Sequence, residues 1–161
     1  MEVRELMPLV SSAAFWLLAS LLVGLLANQL PERWLGAGSP RATLPSPASP
    51  WCRLSRQAGP LHIRGWKRWI PDAGGALPGG VRKASLVQRD PAALRRLLLE
   101  TRRAELVHWL LWPAALLTAL WLPPAGVMVN LAFASLFNLP CVLVQRYNRG
   151  RLQRCLARMV C

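Results

Sequence analysis

Apolar residues in this chain gather into three long runs, and the stretches between them have a different character. The first run extends from Pro8 to Leu30 and contains no charged residue. At about 1.5 Å per residue a helix of this length reaches on the order of 34 Å, enough to cross a bilayer. The second region starts at Asp90, which can cap a helix with Pro91 at its first position. Leu94, Leu97 and Leu98 share one face of that helix, with Arg95, Arg96, Arg102 and Arg103 largely elsewhere. The pattern predicts an amphipathic helix lying in the membrane interface. It then enters the bilayer as an apolar span from Leu106 to Leu122, with a kink at Pro113. Pro123 and Pro124 predict a tight turn, and a third apolar run follows from Gly126 to Val144. The expected fold is an all-α integral membrane protein. It has three transmembrane helices, with an interfacial amphipathic helix before the second span.

The intervening stretches divide the chain further. Residues 31–50 contain five prolines among glycine, serine and alanine, a composition that predicts a linker without regular structure. Residues 51–89 are basic and irregular. Within them, Trp66 and Trp69 flank Lys67 and Arg68, residue types that favour a membrane–water interface. The expected organisation is an N-terminal transmembrane helix (1–30), the linker (31–50) and one functional region (51–161). That region comprises a basic loop, a helical hairpin over 105–145 and a basic tail. A cleaved signal peptide is the alternative for the first run. Its length, and a leader made net negative by Glu2, Arg4 and Glu5, favour a retained helix.

Charge adds an orientation. The 161 residues are 53% hydrophobic and only 17% charged, yet the formal net charge is +13. Nucleic acid is the usual partner of a small basic protein, but the apolar runs are too long for a soluble domain of this size. Residues 31–104 hold fourteen Lys and Arg against four Asp and Glu, and the tail from Arg146 to Cys161 adds five arginines and no acid. With three spans the loop and the tail fall on one side, and the excess of basic residues predicts that side to be cytoplasmic. The expected location is a cell membrane, crossed several times. The four cysteines have neither CxxC nor zinc spacing, so neither disulfides nor metal are expected.

Two clusters carry candidate chemistry. Helical spacing aligns Thr101, Glu105, His108 and Trp112 at the mouth of the second span. A carboxylate one turn before a histidine can orient the ring and raise its basicity, which is a general-base arrangement. The bland alternative pairs Glu105 with Arg102 and leaves His108 capping the lipid boundary. The second cluster ends the third span. Asn138 lies within the apolar run, Pro140 frees a backbone carbonyl nearby, and Gln145, Arg146, Asn148 and Arg149 follow. Arg146, Asn148, Arg149 and Arg151 suit a phosphate clamp, and the arginines alone suit a simple positive-inside anchor, but an anchor has no use for the amides of Gln145 and Asn148. Asp72 lies in a glycine-rich turn without the ending of a phosphate loop. No nucleophile elbow or zinc-protease motif occurs, which disfavours a covalent acyl-enzyme.

Three blocks together resemble one family. Ile63-Arg-Gly-Trp66-Lys67-Arg-Trp-Ile70-Pro71-Asp72 is the first. Glu100-Thr101-Arg102-Arg103-Ala104-Glu105-Leu106-Val107-His108-Trp109 is the second. Asn138-Leu139-Pro140-Cys141, continuing through Gln145-Arg146-Tyr147-Asn148-Arg149 to Leu152, is the third. In order and spacing, over roughly residues 51–156, they resemble the bacterial glycosyl-4,4'-diaponeurosporenoate acyltransferases. The resemblance implies esterification of a sugar hydroxyl on a glycosylated C30 carotenoid, or a related glycolipid, with a fatty acyl chain. It implies acyl-CoA or acyl carrier protein as donor, and no metal or tightly bound cofactor. On this reading His108 is the base and Glu105 holds its ring. Gln145 or Asn148 donates to the oxyanion, and Lys67, Arg146 and Arg149 hold the donor's phosphates. Asp72, Glu100 and Asn138 complete the expected substrate-binding set. A non-catalytic membrane scaffold for pigment- or lipid-synthesising enzymes is the alternative. A metal enzyme using Glu100, Glu105 and His108 is less favoured, because Glu100 and Glu105 do not share a helix face.

Overall fold

The computed structural model describes residues 3–36, 63–70 and 90–160, and every regular element among them is helical. Helix α1 spans Val3–Gln29, α2 is the short Ile63–Trp66, α3 spans Pro91–Leu116, and α4 spans Pro124–Val160. Short 3-10 turns lie at Glu32–Leu35, Lys67–Trp69 and Leu117–Leu120. The core is the seam between α3 and α4, which run antiparallel around the turn at Pro123, with α1 packed alongside.

The packing is inverted relative to a protein in water. On α1, Leu17, Leu18, Leu21, Leu22, Leu25 and Leu26 are exposed, while Ala19 and Ala27 are buried. On α4, Met128, Val129, Leu136 and Phe137 face outward, while Ala134 and the amides of Asn130 and Asn138 are buried. Large apolar side chains outside and small or polar ones inside are what a hydrocarbon solvent produces, since it rewards close backbone approach and internal hydrogen bonds. Asn130 secures one such approach. It accepts from Trp16 Nε1 at 2.8 Å and donates to the Gly126 carbonyl at 2.9 Å, tying α1 to α4.

Among the described residues, two helices are long and apolar enough to cross a membrane, Met7–Gln29 and Pro124–Met159. The expected second span is not among them. Four charged residues, Glu100, Arg102, Arg103 and Glu105, precede its apolar part, and α3 tightens into 3-10 geometry after Leu116. The stretch from Leu106 to Leu120 therefore rises only about 25 Å, short of the roughly 30 Å of a hydrocarbon core. Asp90 caps α3 as expected, accepting from the Ala93 N–H at 2.7 Å, with Pro91 at the first position.

The expected interfacial helix needs correction. Residues 91–105 are continuous with the apolar part of α3, and the helix runs through Pro113. Leu94 and Leu98 pack against Leu152 and Leu156 of α4. Their apolar face is covered by protein, so it has no face left to lay on lipid. The sequence pattern alone could not distinguish the two, because a lipid surface and a neighbouring helix select the same leucines. The linker also differs. Pro31, with φ −59°, leads into the 3-10 turn at Glu32–Leu35, which closes on Gly36 at φ 77°. Arg102 fixes this turn by donating to the Leu35 carbonyl at 2.5 Å. The remainder of the linker, residues 37–50, lies outside the described residues.

Candidate active site

The α3–α4 seam buries a line of polar side chains. At its mouth the two oxygens of Glu105 accept three donors. Arg146 Nε reaches Oε1 at 2.5 Å, Arg149 Nη1 reaches Oε2 at 2.6 Å, and Trp109 Nε1 reaches Oε1 at 3.2 Å. Burial pushes this carboxyl up, and the hydrogen bonds and charges of Arg146 and Arg149 outweigh it, with Trp109 adding to them. Glu105, which precedes the apolar stretch, therefore titrates below its ordinary value and is a carboxylate at neutral pH. The Arg146 guanidinium also lies over the Trp109 ring, 5.6 Å from its centroid.

One turn further in, His108 meets α4. Its Nδ1 is 2.9 Å from Asn138 Oδ1. Asn138 Nδ2 donates to the Ala134 carbonyl at 2.8 Å, which leaves Oδ1 as the end facing the ring. An oxygen there requires Nδ1 to carry the proton. The neutral imidazole then has its basic lone pair on Nε2. The arrangement is one that a base and its positioning group would have, with the two residues contributed by two helices.

Gln145 lies seven residues beyond Asn138 and four before Arg149, on the same face of α4. It is 8% exposed, and its Oε1 is buried with no hydrogen-bond partner. A buried amide oxygen left unsatisfied costs about 1–3 kcal/mol, and such atoms call for an explanation. Lys67 approaches from the other side. Its Nζ lies 3.4 Å from Asn148 Oδ1 and 5.0 Å from the centroid of the Tyr147 ring. Ile63, Val144 and Tyr147 form the apolar cluster that holds this segment on α4, with Trp66 and Ile70 against it.

The sequence has relatives. The family model for glycosyl-4,4'-diaponeurosporenoate acyltransferase matches residues 52–158, which includes the whole seam. The chain belongs to the glycosyl-4,4'-diaponeurosporenoate acyltransferase family. Proteins of that name from Staphylococcus aureus strains USA300, Newman and bovine RF122 / ET3-1 are each 30% identical to it over 97 residues. The aligned part is 60% of this chain, and it spans 58% of the length of those relatives. No solved structure matches the chain.

Within this family member, most of the expected site residues converge, but with changed partners. Glu105, His108, Asn138, Gln145, Arg146 and Arg149 line the seam, and Lys67 joins Asn148 beside it. The expected Glu105–His108 support is corrected. Both carboxylate oxygens serve α4 and Trp109, and the group oriented on the ring is Asn138. Glu100 stands apart, paired with Arg103 one turn away. With its two acids committed to arginines, the three-ligand metal alternative has no converging set among the described residues. Asp72 lies outside the described residues. Trp109 was missed as a site residue. Its spacing of four from Glu105 was the available signal.

Proposed function

We propose that this chain is a membrane O-acyltransferase. It moves a fatty acyl group from a thioester donor to a sugar hydroxyl of a glycosylated carotenoid or related glycolipid. The observation that carries the reading is the His108–Asn138 pair, which fixes Nε2 as the basic nitrogen in a seam that the family model covers throughout. His108 Nε2 takes the hydroxyl proton as the sugar oxygen attacks the acyl carbonyl. A C–O bond forms, and the carbonyl oxygen gains negative charge. Collapse then breaks the C–S bond, and the proton passes to the departing thiolate. Gln145 suits both ends of this step, since its Oε1 can accept from the sugar and its amide hydrogens can donate to the oxyanion. Asn148, whose oxygen takes Lys67, offers its amide hydrogens as well.

Lys67, Arg146 and Arg149 provide the cationic rim for the donor's phosphates. Glu105 sets the geometry of the two arginines and cancels only one of their charges. Asp72 and Glu100 are the acidic members of the proposed substrate-binding set. The chemistry requires no metal or tightly bound cofactor.

The topology proposed is three passes, with α1 and α4 crossing fully and the apolar end of α3 making a shorter pass between them. Loop 31–104 and the basic tail lie in the cytoplasm of a bacterial inner membrane. The charge distribution supports this arrangement.

Mass spectrometry of lipid and carotenoid extracts, with the gene and without it, tests the reaction class. An acylated glycolipid is expected to vanish with the gene. His108→Ala should abolish that product while the chain still inserts. Wild-type product from this variant would overturn the base assignment and favour a scaffold.

A further inference from the structure

Beyond the seam, α4 continues as an uninterrupted helix to Val160, and the residues past Val144 include five arginines and no acid. Their placement is not random. Arg151, Arg154 and Arg158 follow Tyr147 at spacings of four, three and four, which stacks them along one side of the helix. Leu152 and Leu156, which pack on α3, point the opposite way. Arg151 and Arg158 are exposed. The stripe begins where Lys67 lies over the Tyr147 ring, at the rim of the candidate active site.

Two ordinary explanations fall short. A helix macrodipole attracts cations only within its last turn, which accounts for Arg158 alone. Lipid headgroups are too close to the hydrocarbon. If Pro124 to Val144 fills the roughly 30 Å core, Arg151 lies about 10 Å past its edge and Arg158 about 21 Å past it. A headgroup layer is only about 5–8 Å thick. For a helix normal to the bilayer, the stripe then runs from just outside the headgroups at Arg151 to beyond their screened reach of about 10 Å at Arg158.

We propose that this stripe is the docking surface for a small acidic protein that carries the acyl group as a thioester, an acyl carrier protein. A free nucleotide-type donor is compact and needs only the rim at Lys67, Arg146 and Arg149. A row of three cations over about two turns, leading away from that rim into water, matches an acidic helix of a protein partner. The inference rests on the acyltransferase reading for the role of the carrier, but the docking itself is measurable without turnover.

The test uses the full chain in nanodiscs of neutral phosphatidylcholine, titrated with fluorescently labelled holo acyl carrier protein. Wild type should bind, and binding should weaken steeply between low and moderate salt. Arg151→Glu/Arg158→Glu should weaken it at least tenfold, and Arg151→Gln/Arg158→Gln should weaken it less. With both donors assayed, the reversal should raise KM for acyl carrier protein at least tenfold and leave KM for acyl-CoA within twofold. Failure of wild type to bind, or equal binding by wild type and variant, overturns the proposal. So does an equal rise in KM for the two donors. Loss of membrane association by the variant would assign the stripe to lipid and equally overturn it. Carrier binding without turnover by either donor would instead defeat the acyltransferase reading alone.

Discussion

Asn138 and Glu105 show what single side chains contribute at this seam. Asn138 is argued to act through His108, so Asn138→Ala should lower kcat about tenfold to a hundredfold with little change in KM. Asn138→Asp keeps the acceptor and adds a negative charge that favours the imidazolium. The acid limb of the kcat/KM profile should then move to higher pH. A merely structural asparagine would not move that limb. Glu105 balances two half-buried arginines, and Glu105→Ala leaves both without it. The expected loss is about 2–3 kcal/mol, measurable by chemical denaturation in mild detergent. The pH dependence follows from the depressed carboxyl. Its stabilisation is complete above the unfolded carboxyl value of about 4.3, and is lost as pH falls through the lower folded value. Glu105→Gln should flatten that acid limb of the stability curve.

The helices are tied together by contacts that differ in chemistry from one end to the other. Toward the basic end, Leu94 and Leu98 of α3 meet Leu152 and Leu156 of α4. Leu98→Ala should cost about 2–4 kcal/mol there by leaving a cavity. In the apolar half, Trp16 and Asn130 hold α1 on α4 by a hydrogen bond, and Trp16→Phe should cost about 1 kcal/mol, seen as a small drop in Tm. The elements themselves were legible in the sequence. The uncharged run, the Asp90-Pro91 start and the Pro-Pro turn each encode a local backbone event. The partners across the seam were not legible. Glu105 lies four residues from Trp109 and three from His108, yet its strongest partners are 41 and 44 residues away. Local spacing names the residues that share a face. Only the packing of α3 on α4 decides which of them meet.

At the scale of the whole molecule, the one-sided charge predicts an orientation that labelling can read. In a cysteine-free background, Ala125→Cys should react with an impermeant maleimide from outside intact cells, and Ser46→Cys should react only after permeabilisation. The reverse result would invert the proposed topology and remove the stripe from any cytoplasmic carrier. The inside-out packing of α1 and α4 carries a further consequence, for tolerance to mutation. In a saturation scan, the bulky outward residues such as Leu18, Leu22 and Met128 should accept almost any apolar replacement, because lipid tails remould around them. Ala27 and Ala134, among the smallest side chains present, should accept almost none. A map of permitted substitutions would thus run opposite to that of a water-soluble enzyme, with its strictest positions where side-chain volume is least.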